Sequence, residues 1–514
     1  MRPRALAAAL VLVGGVLYGA AFPPHDASVC AWLALVPLLA VAARASARGA
    51  FLAGALYGAV FFAMTVPWVV RAVAAYFGTG TLPALALSAA ICLLYVSGYV
   101  GLFAVAARRL LATGPWRALV AIPALWVTCE LARATLLTGL PWELLGHSQW
   151  RGLALIQVAD LGGVYALSFL VAAGNVGAYL ALRALVRPGR RIEALDAVAP
   201  LAAVVLLVAS AALYGEWRRA GEAARPDGPA SVVALVQGNL PLAQSWRRVR
   251  AERNLLAYAG LSRRVIAAAR PDLLVWPEYA LSAYPESVPL LLPMLEGLAR
   301  ATTAGLVFGA PRIEAGRPGR RYFNSAYHLA PDGARSAYDK IRLVPFAEYR
   351  PVPWGEAIAA EAGREFGAGS QSTVFTTAIG RLGVLICYEV IFPDLARASV
   401  RAGAEVLLNL SNDGWLDSAG LGAGAQHLSI AVFRAVETRR YLARAASSGI
   451  SGFVDPLGRP FALIEAGQRG ARAAEVRARR DLTFYVRYGD VFAGACVLVG
   501  LASLGATAVG RRGA

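Results

Sequence analysis

The chain has 514 residues, of which 58 % are hydrophobic, and its mean hydropathy is +0.54. This composition excludes an ordinary soluble protein and favours a membrane protein. The formal net charge of +18 raises nucleic-acid binding as an alternative, but the arginines lie between apolar runs and without a basic–aromatic motif. The five cysteines and four histidines are scattered, so we expect neither a disulfide framework nor a metal site.

Seven apolar segments follow one another in the first part of the chain, and an eighth lies near its end. A membrane helix needs about 20 apolar residues, and most of these segments approach that length. The predicted spans are residues 5–22, 28–43, 50–70, 82–106, 116–136, 156–182, 197–214 and 491–510. We therefore predict an N-terminal membrane domain over residues 1–215, and a C-terminal helix with a short cytoplasmic tail over residues 490–514.

Arginines are concentrated in alternate connections between the predicted spans. They include Arg2, Arg4, Arg44, Arg48, Arg108, Arg109, Arg183, Arg187, Arg190, Arg191, Arg511 and Arg512. The intervening connections, such as Pro23–Ala27, carry fewer basic residues. Positively charged loops stay on the cytoplasmic side, so we predict that both termini are cytoplasmic. The region between the seventh and eighth spans is then predicted to lie on the outer face of the membrane.

The segment after the fifth predicted span is rich in functional groups. Glu130–Gln149 contains two acidic residues, an arginine, a tryptophan and a histidine. Aromatic and charged residues collect where membrane helices meet water, so one interpretation is an interfacial belt with solvated charges.

Between residues 231 and 480 the pattern of the chain changes. Short apolar runs such as SVVALVQGN, DLLVWPEY, LGVLICYEV and AEVLLNLSN alternate with charged, helix-like segments, and glycines and prolines separate them. Strands that alternate with amphipathic helices indicate an α/β domain. About 250 residues suffice for one domain with its own core.

Three of the strand-like runs end in a reactive group. Glu278 ends DLLVWPE, Lys340 lies in YDKIRLVPFAEYR, and Cys387 follows the apolar run LGVLI. Lys340 is the single lysine of the chain. A thiol, a carboxylate and an amine held at strand ends can act as nucleophile, base and electrophile. Each group alone also fits a structural role: a core cysteine, a paired acid or a surface lysine.

These three motifs resemble the Glu-Lys-Cys triad of the nitrilase superfamily. The wording LVPFAEYRP and CYEVIFPD resembles one branch of it, the apolipoprotein N-acyltransferases, in which a nitrilase domain is embedded in a polytopic membrane protein. The resemblance covers nearly the whole chain, including the E-x-x-R and GLPW wording of residues 130–142, which in the family is expected to shape a lipid entrance. It implies a multi-pass α-helical membrane protein of about eight spans, with an inserted α-β-β-α sandwich domain over residues 231–480.

The resemblance also implies a reaction. Cys387 takes an acyl chain from a phospholipid as a thioester, and the α-amino group of an N-terminal S-diacylglyceryl-cysteine then attacks that thioester. Glu278 is the expected base and Lys340 the expected partner of the oxyanion. We expect a monomer in the inner membrane, with the catalytic domain on the periplasmic side. No cofactor, metal or nucleic acid is expected to take part.

Five further residues are predicted to support the site or to bind substrate. Glu348 would orient Lys340 or help the base, Glu389 would point across the same cleft, and the backbone N–H of Tyr388 would bind the oxyanion. Trp415, in NLSNDGW, and Trp246, in VQGNLPLAQSW, are predicted walls of the acyl cleft. The structural alternatives are carboxylates paired with arginines and ordinary core tryptophans. Leu416 and Asp417 depart from the family's Phe-Gly wording after Trp415.

Residues 426–444 form a predicted helical segment in which His427, Arg434 and Glu437 are interpreted as scaffold around the cleft and not as acid–base partners.

Two other classes of function remain as alternatives. A membrane-tethered amidase or nitrilase would use the same triad to hydrolyse a C–N bond, and it differs in whether water or a lipidated amine resolves the thioester. A transporter with an accessory domain would require intramembrane ionisable residues along a pathway. Glu130 and Arg133 lie toward the end of a span, which supports that reading poorly.

Overall fold

The computed structural model describes residues 3–77, 80–186, 191–224, 229–240, 248–285, 291–316, 319–345, 347–349, 365–415 and 422–509. The chain divides into two compact units. The first comprises Met1–Ala74, Gly80–Ala224 and Tyr488–Ala514, and the second comprises Ala75–Thr79 and Arg225–Arg487. In the described part of the chain, the first unit is helical, whereas the strands lie in the second.

The first unit is built from apolar helices. Their bounds are α1 Pro3–Ala20, α2 Ala31–Ala42, α3 Ala47–Thr65, α4 Trp68–Phe77, α5 Thr81–Cys92, α6 Gly98–Leu110, α7 Pro115–Thr135, α8 Leu153–Ile156, α9 Ala159–Gly162, α10 Val164–Val186 and α11 Arg191–Ala223, with the C-terminal helix Val491–Val509. A π-helical turn, Leu93–Ser97, joins α5 to α6. The core between the helices of the first unit contains aromatic side chains such as Tyr18, Tyr57 and Trp126.

Five helices in the described residues are long and apolar enough to cross a membrane. They are Ala47–Thr65, Thr81–Leu110, Pro115–Thr135, Val164–Val186 and Val198–Glu222. Each coincides with one of the predicted spans. The predicted spans 5–22, 28–43 and 491–510 coincide with shorter apolar helices, Arg4–Ala20, Ser28–Ala42 and Val491–Thr507. The structure therefore supports a multi-pass membrane protein without fixing the number of spans at eight.

The predicted interfacial segment after α7 is buried, not solvated. Glu130, Arg133, Glu143 and His147 are at most 6 % exposed. Glu130 Oε1 accepts hydrogen bonds from the backbone N–H of Leu145 at 2.6 Å and from the indole of Trp126 at 2.9 Å. The interpretation as a belt of solvated charges is wrong, because these side chains are buried inside the helical unit.

The second unit contains two six-stranded sheets. The strands are β1 Ala230–Gln237, β2 Leu273–Val275, β3 Gly305–Gly316, β4 Gly319–Leu329, β5 Arg335–Asp339, β6 Val374–Thr377, β7 Gly380–Ile386, β8 Val406–Ser411, β9 Leu442–Ala446, β10 Ser451–Val454, β11 Pro460–Ile464 and β12 Gly470–Arg477. One sheet has the order β12-β1-β2-β3-β4-β5, and the other has the order β11-β10-β9-β8-β7-β6. The central strands β1–β2–β3 and β7–β8–β9 are parallel.

The central strands are apolar on both faces because both faces are covered. Successive side chains of a strand point to opposite sides. Val233 and Leu235 of β1 enter the core between the sheets, whereas Ala234 and Val236 pack toward two helices, α12 Arg248–Ala269 and α13 Leu291–Arg300.

Helices α14 Pro393–Arg401 and α15 Ala423–Thr438 contact the second sheet. The result is an α-β-β-α sandwich, and continuous apolar strands are expected where helices cover a sheet.

Candidate active site

Cys387 lies at the end of β7, as the apolar run before it predicts. The residue begins a 3-10 turn, Cys387–Ile391, and is 2 % exposed. Its φ angle is +51°. A non-glycine residue seldom adopts this left-handed conformation, and such strain is concentrated at functional sites. Strand β7 fixes the backbone before the cysteine, and the turn fixes the backbone after it.

Glu278 lies in the loop after β2 and is 4 % exposed. The neighbouring strand β3 approaches this loop closely because it has a glycine there. A Cβ atom at Gly309 would lie 2.5 Å from the Cα atom of Glu278. Glu278 Oε2 accepts a hydrogen bond from the backbone N–H of Asn412 at 2.9 Å, in the loop after β8. The first sheet supplies the carboxylate, and the second sheet holds one of its oxygens.

Lys340 follows β5 directly and is 1 % exposed. Its ammonium nitrogen lies 3.1 Å from Glu278 Oε1 and 3.0 Å from Glu348 Oε1. The side-chain amide of Asn324, on β4, donates to the same two oxygens, at 2.7 Å each. Buried charges are tolerated when they are paired and hydrogen-bonded, and this cluster meets both conditions.

The cluster and the thiol affect one another's protonation. Burial raises the pKa of Cys387, the Glu278 carboxylate raises it further, and the Lys340 ammonium lowers it, with a net rise. Burial also raises the pKa of Glu278, although Lys340 opposes that rise. Burial lowers the pKa of Lys340, but Glu278 and Glu348 outweigh it and hold the pKa above its usual value. Glu278 is thus a strengthened proton acceptor beside a fixed positive charge.

Glu389 joins the backbone of the two loops that carry Lys340 and Cys387. It is fully buried, and its carboxylate accepts from the N–H groups of Ile341 at 2.6 Å, Arg342 at 3.1 Å and Ile386 at 2.7 Å. The Tyr338 hydroxyl donates to both oxygens at 2.9 Å. Burial raises the pKa of Glu389 to about 7, against the effect of the backbone donors. Glu389 therefore binds the backbone on both sides, next to Lys340 and next to Cys387.

The other predicted site residues have different outcomes. Glu348 joins the cluster, and its Oε2 accepts from the N–H of Val344 at 2.7 Å. Tyr388 follows Cys387 in the 3-10 turn, and its ring packs edge-on against Phe392 at 5.0 Å. The backbone of Trp415 ends the turn Asp413–Trp415, and its side chain is outside the described part of the structure. Trp246 also lies outside the described residues.

Two polar residues of the cluster escaped the sequence analysis. Asn324 bridges Glu278 and Glu348, and Asn412 binds Glu278 through its backbone. The sequence signal for Asn324 is an amide inside the apolar segment YFNSAYHLA, and the structure buries this amide fully. A buried polar group needs a partner, so such a residue inside an apolar strand is a candidate for a site.

The predicted scaffold residues of α15 are buried. Arg434 donates to the carbonyl of Ile391 at 3.1 Å and to Glu437 at 2.9 Å, so it fastens the end of the turn that starts at Cys387. His427 contacts the carbonyl of Cys387 itself, with its Nε2 atom at 3.2 Å. In the described residues, no group of three or more histidine, cysteine, aspartate or glutamate side chains is arranged to hold a metal ion.

The chain resembles known proteins in both of its units. Residues 14–177 match the apolipoprotein N-acyltransferase N-terminal domain family, and residues 232–480 match the carbon-nitrogen hydrolase family. An apolipoprotein N-acyltransferase from Geobacter metallireducens is 38 % identical over 98 % of this chain and 95 % of its own length. One from Methylococcus capsulatus is 32 % identical over 94 % of this chain and 92 % of its own length.

Solved structures are similar to about half of the chain, and only at a distance. An amidase from Nesterenkonia sp. shares 22 % identity with a TM-score of 0.38, covering 52 % of this chain and 97 % of the amidase. A nitrilase-superfamily protein from Saccharomyces cerevisiae shares 22 % identity with a TM-score of 0.37, covering 48 % of this chain and 90 % of that protein.

The two-sheet unit with its strand-end thiol is a carbon-nitrogen hydrolase domain, here part of a chain with membrane-length apolar helices. Similarity to the acyltransferases extends through both units and over nearly the full length of each relative. The chain belongs to the apolipoprotein N-acyltransferase family.

Proposed function

We propose that the chain moves an acyl group from a phospholipid to Cys387 and from there to the α-amino group of a lipoprotein's N-terminal S-diacylglyceryl-cysteine. One observation carries the proposal. A strained, buried thiol is close enough to a carboxylate and an ammonium for both charges to shift its pKa, and these two groups are paired with each other. The names of the relatives, which align over both units, support the choice of substrates.

The first half-reaction forms a thioester. Glu278 takes the proton of the Cys387 thiol, and the thiolate attacks the ester carbonyl carbon of the phospholipid. The electron pair of the carbonyl moves to its oxygen, where the Lys340 ammonium and the backbone N–H of Tyr388 stabilise the negative charge. Collapse of this intermediate breaks the ester C–O bond, and the leaving oxygen takes the proton from Glu278 as a lysophospholipid departs.

The second half-reaction transfers the acyl group to nitrogen. The uncharged α-amino group attacks the thioester carbonyl, and the same two donors stabilise the second oxyanion. Glu278 accepts a proton from the nitrogen as the C–S bond breaks, and it returns that proton to the Cys387 thiolate. The products are an amide and the regenerated thiol.

The remaining residues support these steps. Glu348 and Asn324 hold Lys340 and Glu278 in position through the hydrogen bonds of the cluster. Glu389 fixes the two loops. Trp415 and Trp246 form walls for the acyl chain, a role assigned from the sequence. We assign the catalytic domain to residues 231–480 and the membrane helices to residues 1–215 and 490–514.

The lipid substrates explain the membrane setting. Both the donor and the acceptor are confined to a bilayer, so a domain joined to membrane helices meets them at its surface. We propose eight spans, an inner-membrane location and a catalytic domain on the periplasmic side, and we propose that the protein works as a monomer and without a cofactor.

Mass spectrometry of the purified protein tests the proposal. After incubation with phospholipid, the wild type should carry one acyl adduct on Cys387, and Cys387→Ala should carry none. Cys496→Ala, which removes another buried thiol, should behave as the wild type. Addition of a diacylglyceryl-cysteine peptide should remove the adduct and yield an N-acyl peptide. An unmodified Cys387 would contradict the acyl-enzyme, and release of the acyl chain to water alone would favour the hydrolytic alternative.

A further inference from the structure

A buried polar ladder contacts the backbone of Cys387 and takes no part in the mechanism above. It consists of His427 on α15, Asp413 in the turn after β8, and Arg444 on β9. None of the three side chains is more than 1 % exposed. Arg444 Nη2 lies 2.5 Å from Asp413 Oδ2, and the Ser411 hydroxyl donates to Asp413 Oδ1 at 2.6 Å. Three separate elements thus meet at one histidine.

The neighbours of His427 fix the position of its proton. Its Nδ1 atom lies 3.0 Å from Arg444 Nη2, and a guanidinium nitrogen can only donate. Its Nε2 atom lies 3.2 Å from the carbonyl oxygen of Cys387, which can only accept. Nδ1 is therefore the unprotonated nitrogen, and Nε2–H donates to Cys387. Asp413 Oδ1 lies farther from Nδ1, at 3.2 Å, and it accepts the shorter hydrogen bond of the Ser411 hydroxyl.

The charge balance agrees with a neutral imidazole. Burial lowers the pKa of His427, and the Arg444 guanidinium lowers it further; Asp413 and the Cys387 carbonyl oppose this effect, but the net shift is downward. Burial alone would raise the pKa of Asp413, but Arg444 outweighs it and holds the pKa below its usual value. The fixed ion pair of Asp413 and Arg444 thus leaves the histidine uncharged and sets its tautomer, as a second partner commonly does for a histidine.

We propose that His427 is a positioning residue that holds Cys387 in its left-handed conformation through an Nε2–H bond to the cysteine's own carbonyl. The peptide after Cys387 must turn sharply at the end of β7, and an unfavourable φ persists only when its surroundings hold it. A bond to the carbonyl sets the orientation of that peptide. It thereby sets the direction of the thiol and of the Tyr388 N–H that follows it in the chain.

Kinetics of acylation test this role, which rests on the proposed function in taking Cys387 as the nucleophile. A displacement of about 1 Å can cost about 10²-fold in rate, so His427→Leu should lower the single-turnover acylation rate by about that factor. The phospholipid concentration for half-saturation should stay unchanged, because the ladder is buried and contacts Cys387 at its backbone carbonyl. His427→Gln, whose side-chain amide can donate from a similar distance, should recover most of the rate.

His328 offers a matched control. It is also buried, and its Nε2 atom also contacts a backbone carbonyl, that of Ala304, at 2.8 Å. It lies four residues beyond Asn324 on β4, about 13 Å along the strand. His328→Leu should lower the thermal unfolding midpoint without lowering the acylation rate of the folded protein. A normal rate in His427→Leu, or equally low rates in His427→Leu and His427→Gln, would overturn the proposal.

The wild-type protein gives a second test that does not depend on any variant folding or on acyl transfer. In protein labelled with ¹⁵N-histidine, nuclear magnetic resonance distinguishes the two neutral tautomers and the imidazolium of each of the four histidines. The signals of His427 are assigned by their loss in His427→Gln. A neutral ring protonated at Nε2 supports the inference, and a ring protonated at Nδ1 or at both nitrogens overturns it. Failure of phospholipid acylation alone would count against the proposed function only.

Discussion

At neutral pH the side chain of Cys387 is a thiol, because burial and the Glu278 charge raise its pKa. The nucleophile is formed only when its proton moves to a base. Glu278 and Lys340 have opposite effects on the pKa of Cys387, because the carboxylate raises it and the ammonium lowers it. The carboxylate receives the proton, and the ammonium favours both the thiolate and the oxyanion that follows. Their separation of 3.1 Å also means that substitution of one residue alters the other.

This opposition predicts different pH profiles for two variants. Glu278→Gln cannot accept the thiol proton, so acylation should fall by about 10²–10⁴-fold at neutral pH. It also removes the charge that raises the pKa of Cys387, so the thiol ionises more readily as the pH rises. The rate should therefore increase about tenfold per pH unit below the pKa of Cys387.

Lys340→Met should lack this rescue by alkaline pH. Loss of one oxyanion donor costs roughly 10²–10³-fold. Loss of the ammonium also removes the charge that lowers the pKa of Cys387. Single-turnover acylation across a pH series compares the two variants. Equal rescue of both, or rescue of neither, would show that the two roles are wrongly assigned.

Some site residues are predictable from the sequence because each of them marks the end of a strand. Glu278, Lys340 and Cys387 follow apolar runs, and reactive side chains at strand ends are the pattern of an α/β site. Asn324 lies inside a strand, and Asn412, although it follows β8, binds Glu278 through a backbone N–H that no residue type marks. Their contacts with Glu278 depend on the packing of β4 and of the loop after β8, which are distant in sequence.

At the scale of elements, the site is an assembly of loops whose backbones need anchors. The carboxylate of Glu389 receives hydrogen bonds from the N–H groups beside Lys340 and beside Cys387. The Arg434 side chain holds the far end of the same 3-10 turn. The strands bring the three reactive groups to one region, and these anchors determine the positions of the groups within it.

Substitution of Glu389 should therefore impair both stability and acylation. In Glu389→Gln, an NH₂ group replaces one oxygen and faces a backbone donor. A buried donor left unsatisfied costs about 1–3 kcal/mol. We expect a lower thermal unfolding midpoint in detergent, and a fall in acylation of about 10²-fold as the loop of Lys340 shifts.

Glu475→Gln is the matched control, because the Glu475 side chain is 65 % exposed and pairs with Arg477 only at 3.7 Å. It should leave both quantities unchanged. Wild-type acylation in folded Glu389→Gln would show that the anchor is dispensable.

The sequence predicts long apolar elements better than interrupted ones. The span predicted at 156–182 is in fact the short helices α8 and α9 followed by α10, because Gly163, with φ of +63°, separates α9 from α10. The segment from Glu130 to Gln149 was misread for a different reason. Its charged residues look solvated in the sequence, whereas Glu130 and Arg133 contact the backbone of Leu145 and Glu143 in the loop that folds back on α7.

At the scale of the whole molecule, the connections of the helical unit collect into two groups. Arg108, at the end of α6, donates to the carbonyl of Ala45 in the α2–α3 connection at 2.6 Å. Both connections are among those predicted to be cytoplasmic. Asp26, between α1 and α2, contacts Trp150 and Arg151, which follow α7, at 2.9 Å each. Both of these connections are predicted to lie on the outer side. Contacts within each group support the alternation inferred from the arginines.

The alternation predicts that the turn between β4 and β5 faces the periplasm. Ala334 is exposed in that turn, and Ala47 is exposed at the start of α3, beside a connection predicted to be cytoplasmic. In intact spheroplasts, a membrane-impermeant maleimide should label Ala334→Cys but not Ala47→Cys, and after lysis it should label both. The parent protein gives the background from its five native cysteines.

The expected asymmetry of labelling follows from an odd number of spans before the catalytic domain, since an even number would put that domain on the side of the arginine-rich connections. Labelling of Ala47→Cys but not Ala334→Cys before lysis would reverse the orientation, and it would place the thiol of Cys387 on the same side as the arginine-rich connections.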